Sequence, residues 1–166
     1  FNHVALFPKR HWPKSFVING RIMVNNEKMS KSKGNFFTMR ELYTEHGQDI
    51  VRLAAAFAGE GVDDANYDME FLKTGKKKLT ELLFLIKQNH NNGRTDKNSI
   101  DEWFESKINS AIKMSTEALE GMLFKTAIQH SLMDMTRFFK QYLKRTNNKP
   151  NKKLANLFSE SAIKML

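Results

Sequence analysis

Lys28-Met29-Ser30-Lys31-Ser32-Lys33-Gly34 places three ammonium groups, two hydroxyls and a glycine in one short stretch. Ammoniums and hydroxyls donate to phosphate oxygens, and a glycine lets backbone amides approach an anion. Such a loop suits a triphosphate, whose bridging and pyrophosphate oxygens gain negative charge as the bond to the α-phosphorus breaks. Flexible lysine side chains that meet that charge only in the transition state raise the rate rather than merely tightening binding. On residue types alone, a solvated Lys/Ser surface loop accounts for the stretch at least as well.

Other candidate chemistry is thinner. His3, His11, His46, His90 and His130 are scattered, with no clustered ligand set, so no bound metal is expected. Asp63, Asp64, Asp68 and Glu70 could hold Mg²⁺ or form an acid/base pair, but acids at this spacing fit a capped helix start better. The absence of cysteine excludes a disulfide scaffold, a thiolate metal site and a cysteine nucleophile in these 166 residues. No run approaches the length of a membrane span.

Net charge is +9, and it is unevenly placed. Residues 1–40 hold eight Lys/Arg and one acid, residues 41–70 one Arg and eight acids, and residues 71–166 eighteen Lys/Arg and nine acids. The first seventy residues are therefore neutral but polarised, and the basic excess belongs to the remainder. Such an excess points to a polyanionic partner, although many soluble basic proteins share it.

The elements that must carry these residues read as mainly α. Phe16-Val17-Ile18 and Ile22-Met23-Val24 are β-leaning triplets around an Asn19-Gly20 turn signal. Thr38-Met39-Arg40-Glu41 is a capping box for a short helix ending at Gly47, and Asp49 is placed to cap a second helix, about 50–58. From Asp68 a helix carries Leu72, Gly75, Leu79, Leu82, Leu83 and Ile86 inward until Asn91-Asn92-Gly93. A Ser99-capped helix follows with Phe104, Ile108, Ile112 and Leu119. After a break at Glu120-Gly121 comes the stripe Phe124, Ile128, Ser131, Met135, Phe138, Tyr142. A last helix over 152–166 buries Leu154, Leu157, Phe158 and Ile163. These faces must pack on one another as a helix bundle. Phe1 opens in what reads as folded sequence and the chain closes on an apolar turn, so the bundle is expected to be truncated.

Helical spacing puts Lys73, Lys76 and Lys77 on one face and Arg137, Lys140 and Lys144 on another, with Lys149, Lys152 and Lys153 extending a basic edge. Any one of these lysines fits a solvated face. No aromatic platform interleaves them, so phosphate contact is expected rather than base reading.

The order Lys28-Met29-Ser30-Lys31-Ser32 is the signature loop of class I aminoacyl-tRNA synthetases. Its surroundings resemble the leucyl family of archaeal and eukaryotic cytosolic type: Phe1 through Pro8, Trp12-Pro13, Asn19-Gly20, Asn25 through Phe36, Asp49 through Ala54 and Val62 through Tyr67. Beyond residue 70 the resemblance is mainly helix order, with Trp103 and Phe124-Lys125-Thr126-Ala127 as landmarks. It implies that 1–67 ends a class I catalytic domain, with loop and stem helices, and that 68–166 is a bundle of anticodon-binding type.

The implied activity is ATP-dependent formation of leucyl-adenylate followed by transfer of leucine to tRNA(Leu), in the cytoplasm. ATP would bring Mg²⁺ as its counter-ion. Lys28 and Lys31 would face the phosphates, Lys31 foremost; Ser30 and Ser32 would shape the loop, Met29 anchor its base, and Gly34 and Asn35 serve its conformation. Lys33 lies outside the signature. The bundle cations Lys73, Lys76, Lys77, Arg137, Lys140 and Lys144 would meet the tRNA backbone. No His-x-Gly-His signature occurs here, so the chain alone is expected to be inactive. The isoleucyl, valyl or methionyl enzymes, and a non-enzymatic RNA-binding helical module, remain as alternatives.

Overall fold

The computed structural model describes residues 1–16, 18 and 20–165. It opens with a short helix, Asn2–Leu6 (α1), and a 3₁₀ turn at Lys9–His11. The triplet and turn expected at 16–20 include Val17 and Asn19, which lie outside the described residues.

The hairpin comes one strand later. Ile22–Val24 (β1) turns through Asn25-Asn26 into Glu27–Lys28 (β2), with Met23 opposite Lys28 and Val24 opposite Glu27. Asn25 and Asn26 have φ of 50° and 65°, the left-handed pair of a type I′ turn, which asparagine tolerates through its short polar side chain. Ala65–Tyr67 (β3) pairs parallel to β1, giving the order β2-β1-β3. This strand occupies ground read from sequence as a helix start. Only Asp68 of the acidic block caps the next helix, its carboxylate accepting from the Glu70 N–H at 2.8 Å.

Met39–His46 (α2) begins with the expected capping box: Thr38 Oγ1 accepts from the Glu41 N–H, and Glu41 accepts from the Thr38 N–H at 2.7 Å. Gln48–Phe57 (α3) starts from Gly47, so Asp49 lies in its first turn, paired with Arg52, rather than at its cap. Val24, Leu42, Ile50, Val51, Ala54, Tyr67 and Leu72 form a core under the sheet.

The remaining helices are Met69–Asn89 (α4), Ser99–Glu120 (α5), Phe124–Ile128 (α6), Met135–Arg145 (α7) and Lys152–Met165 (α8). They surround a second core of Leu82, Leu85, Phe104, Ile108, Leu132, Met135, Phe139, Tyr142 and Phe158, among others. Phe104 stacks on Tyr142 at 4.3 Å and Phe139 on Phe158 at 3.9 Å. Burying each such ring contributes about 1.5–3 kcal/mol. Helix α4 serves both cores, with Leu72 in the first and Leu82 and Leu85 in the second.

Most of the inward stripe is as expected: Leu72, Leu82, Phe104, Ile108, Met135, Tyr142 and Phe158 are fully buried. Leu83, Leu119, Phe124 and Ile163 are exposed, while Leu85, Ala118, Phe139 and Ala162 take inward places. Between α6 and α7 the chain makes a π-helical turn over Gln129–Asp134. A π turn adds one residue to the helical repeat, yet Met135 and Tyr142 beyond it stay fully buried, and only Phe138 yields its place, to Phe139. The cap of α5 is Asn98 rather than Ser99, with Asp101 as its reciprocal partner.

Asp101 is also the centre of a buried latch between the α4–α5 and α7–α8 connections. Its Oδ1 accepts from Arg94 Nη2 and from the Tyr142 hydroxyl, each at 2.5 Å, and the Tyr142 oxygen accepts from the Asn151 N–H at 2.9 Å. Burial opposes the Asp101 charge, but the Arg94 and Tyr142 hydrogen bonds outweigh it and hold the carboxyl below its usual range. Burial, aided by the Asp101 carboxylate, pushes the Tyr142 phenol up to about 12. No helix among the described residues is long and apolar enough to cross a membrane.

Candidate functional site

The lysine loop hangs from the end of β2. The Met29 N–H donates to the Ile22 carbonyl at 3.3 Å, and the Met29 side chain packs half-buried on the first core. Lys31–Lys33 then make one 3₁₀ turn that ends at Gly34, whose φ of 72° suits a residue without Cβ. Asn35 closes the loop with both ends of its carboxamide. Its Oδ1 accepts from the Ser30 N–H at 2.8 Å and its Nδ2 donates to the Lys28 carbonyl at 3.1 Å. Ser30 Oγ and Ser32 Oγ share a hydrogen bond at 2.8 Å.

Lys28, Lys31 and Lys33 are all exposed, and none forms an ion pair among the described residues. Lys31 Nζ lies 5.2 Å from the centroid of the Phe36 ring. A cation–π contact at an exposed site is worth about 0.5–1 kcal/mol, so an incoming polyphosphate can displace it. The loop thus presents unneutralised ammonium groups and paired hydroxyls on a stapled backbone, a donor set that fits a polyphosphate.

Several residues that hold this geometry escaped the sequence reading. Asn66 Oδ1 accepts from the Asn26 N–H and Asn66 Nδ2 donates to Asn26 Oδ1, both at 2.8 Å. Asn25 Oδ1 accepts from the Met69 N–H at 3.2 Å, and the Asn25 N–H donates to the Tyr67 carbonyl at 3.3 Å. Asp64 Oδ1 accepts from the Arg21 N–H at 2.6 Å. A Cβ at Gly20 would lie 1.8 Å from that same oxygen, so a side chain there would push the Asp64 carboxylate off the Arg21 N–H. One signal was present in the sequence: Asn25-Asn26 between β-formers is a type I′ turn signature.

The bundle cations are all exposed, but they are not equivalent. Lys73, Lys76, Lys77 and Lys144 make no ion pair among the described residues. Arg137 pairs with Asp134 at 2.8 Å, and Lys140 reaches across to Glu81 on α4 at 2.6 Å. Asp134 also meets His130 Nδ1 at 2.9 Å, a helical contact that the reading of scattered histidines did not anticipate. His3 is exposed on α1 against the Phe7 ring, 5.1 Å between centroids. No group of three His, Asp or Glu residues that could hold a metal ion occurs among the described residues.

Comparison with known proteins bears on this site. The model of the tRNA synthetases class I (C) catalytic domain matches residues 2–77. The leucine–tRNA ligase of Aeropyrum pernix is 35% identical over 163 residues, 96% of this chain and 17% of that protein. That of Nanoarchaeum equitans is 36% identical over 100% of this chain and 17% of its own length. The cytoplasmic leucine–tRNA ligase of Saccharomyces cerevisiae is 37% identical over 81% of this chain and 13% of its own length. The chain therefore spans about a sixth of the length of these relatives. Among solved structures, the Agrobacterium radiobacter K84 LeuRS–tRNA–LeuAMS ternary complex superposes with a TM-score of 0.70 at 21% identity. The match covers 88% of this chain and 20% of that one, a likeness of fold.

Proposed function

The chain belongs to the class I tRNA synthetases, with leucine–tRNA ligases as relatives along its whole length, and on that premise we propose that it supplies the ATP-phosphate loop and a tRNA-contacting bundle to a leucine–tRNA ligase. The observation that carries this reading is the lysine loop, with unneutralised Lys28 and Lys31 on a hairpin whose turn and base are both tied down. In the first half-reaction the leucine carboxylate attacks the α-phosphorus of ATP and pyrophosphate leaves. Negative charge then builds on the departing oxygens, where Lys31, and Lys28 beside it, stabilise it most in the transition state. ATP brings Mg²⁺ as its counter-ion.

Ser30 and Ser32 shape the loop through their shared hydrogen bond, Met29 anchors it to the core, and Gly34 supplies its exit turn. Residues 1–67 act as the end of the catalytic domain and 68–166 as a bundle of anticodon-binding type. There Lys73, Lys76, Lys77, Arg137, Lys140 and Lys144 contact the tRNA(Leu) backbone. These 166 residues hold no His-x-Gly-His signature, so adenylate formation needs residues beyond them. Relatives described as cytoplasmic in two yeasts support work in the cytoplasm.

An amino-acid panel in ATP–pyrophosphate exchange by the full-length protein tests the reading. Exchange should depend on leucine and not on isoleucine, valine or methionine at equal concentration. Preference for one of those three would assign the chain to another member of the class.

A further inference from the structure

Glu60 joins the two cores from a turn that belongs to neither. It lies between Gly59 and Gly61, just after α3, and its carboxylate takes two hydrogen bonds from Thr126: Oε1 from the backbone N–H at 3.0 Å and Oε2 from the hydroxyl at 2.8 Å. Thr126 is the third residue of α6, whose own N-cap position, Leu123, offers no side-chain acceptor. An acid 66 residues upstream in sequence therefore does the work of a cap, satisfying an orphan amide and complementing the positive end of the helix. Helix α6 runs through the π turn into α7, so whatever fixes α6 also sets the direction of the helix that carries Arg137, Lys140 and Lys144.

The surroundings reinforce the junction. Lys125 Nζ lies 5.3 Å from the centroid of the Phe57 ring on α3. A cleft of about 320 Å³ between the two units is lined by Ala55, Gly59 and Glu60 on one side and Met122 and Phe124 on the other. At the other end of the same short segment, Asp64 holds the Arg21 N–H, Asn66 holds the Asn26 turn, and Asp68 caps α4. Residues 59–68 thus grip the bundle at one end and the lysine hairpin at the other.

We propose that Glu60 is a positioning residue for the tRNA-dependent half-reaction: through Thr126 it fixes the bundle, and with it bound tRNA, relative to the lysine-loop unit. The proposal rests on the reading of the bundle as the tRNA-contacting part. Glu60 acts at a distance from the reacting atoms. Its loss leaves the leucine and ATP chemistry in place and blurs the angle at which tRNA is presented.

The test compares Glu60→Ala, Glu60→Gln, Thr126→Val and the Glu60→Ala/Thr126→Val double variant in the full-length enzyme. Two assays read it: leucine-dependent ATP–pyrophosphate exchange without tRNA, and aminoacylation with kcat and KM for tRNA(Leu) separated. Exchange should stay within about twofold of the parent in every variant. The KM for tRNA should rise about tenfold in Glu60→Ala, the scale of a broken charged hydrogen bond. Glu60→Gln, which keeps an acceptor for the Thr126 N–H, should recover much of that loss. The double variant should be no worse than Glu60→Ala, because both changes break the same interaction. An unchanged KM for tRNA in Glu60→Ala, a parallel fall in exchange and aminoacylation, or additive losses in the double variant would each overturn the proposal. A Lys73→Gln/Lys76→Gln/Lys77→Gln variant separates the two readings. If it raises the KM for tRNA and Glu60→Ala does not, the positioning role alone fails. If neither does, the tRNA-contacting reading fails with it.

Discussion

Asn66 grips Asn26 by both ends of its carboxamide, across 40 residues of sequence, and so pins the turn of the hairpin that carries the lysine loop to the neighbouring strand. Parallel pairing of β1 with β3 alone would leave the turn free to rock. The amide pair, together with Asn25 on the Met69 N–H, closes that freedom.

Asn66→Ala removes both bonds and leaves the Asn26 N–H without its acceptor. Stability should fall by about 1–2 kcal/mol, read as a lower urea midpoint with an unchanged slope. Pyrophosphate exchange should lose kcat more than leucine KM, because the loop's lysines are held less well for the transition state. Asn66→Ser, too short to span the pair, should behave like Asn66→Ala. Full exchange activity in both variants would show that the turn needs no tether.

The Asp101 latch gives a pH dependence of known sign. The folded carboxyl titrates below its ordinary 3.8, so its stabilisation is complete above that value and is lost as pH falls through the folded one. Tyr142 acts at the other extreme. Its folded value of about 12 exceeds the ordinary 10.0, so stability present below 10.0 is lost as pH rises toward 12. Asp101→Asn should cost about 3 kcal/mol, since Arg94 is left largely buried beside a neutral partner, and should flatten the acid limb of a urea-midpoint-against-pH curve. An acid limb as steep in Asp101→Asn as in the parent would remove Asp101 from the acid response.

The bundle cations should respond to salt according to their partners. Lys76→Gln should weaken tRNA binding and reduce the log–log salt slope by about one, the signature of a single phosphate left without its cation. Lys140 is engaged by Glu81, so Glu81→Gln should act in the opposite sense, freeing the ammonium and steepening the slope. Filter binding of tRNA(Leu) across a salt series reads both. Slopes unmoved by either change would mean that these faces do not meet the tRNA backbone.

What could be read from the sequence was local or carried by residue order. Thr38 and Glu41 are three residues apart, and their capping box is as expected; Asp68 and the break at Glu120-Gly121 likewise depend on neighbours in the chain. The Lys28–Ser32 order pointed to the family that the comparisons identify. What stayed hidden was long-range or out of phase. Asn66 on Asn26 and Glu60 on Thr126 join residues 40 and 66 apart, and neither pair leaves a periodic trace. The strand at Ala65–Tyr67 is three residues long and sits inside an acidic stretch that reads as helix start. Past the π turn at Gln129–Asp134 the core takes Phe139 where Phe138 was expected, while Met135 and Tyr142 keep their places.

The central role proposed for Lys31, meeting charge that develops on the ATP phosphates, is tested most directly by leucine-dependent ATP–pyrophosphate exchange in full-length enzyme carrying Lys31→Ala. The expected result is a fall in kcat of about 10²-fold or more, with leucine KM little changed, while Lys33→Ala, one step outside the signature, stays near the parent. Normal exchange in Lys31→Ala, or an equal loss in both variants, would contradict that role.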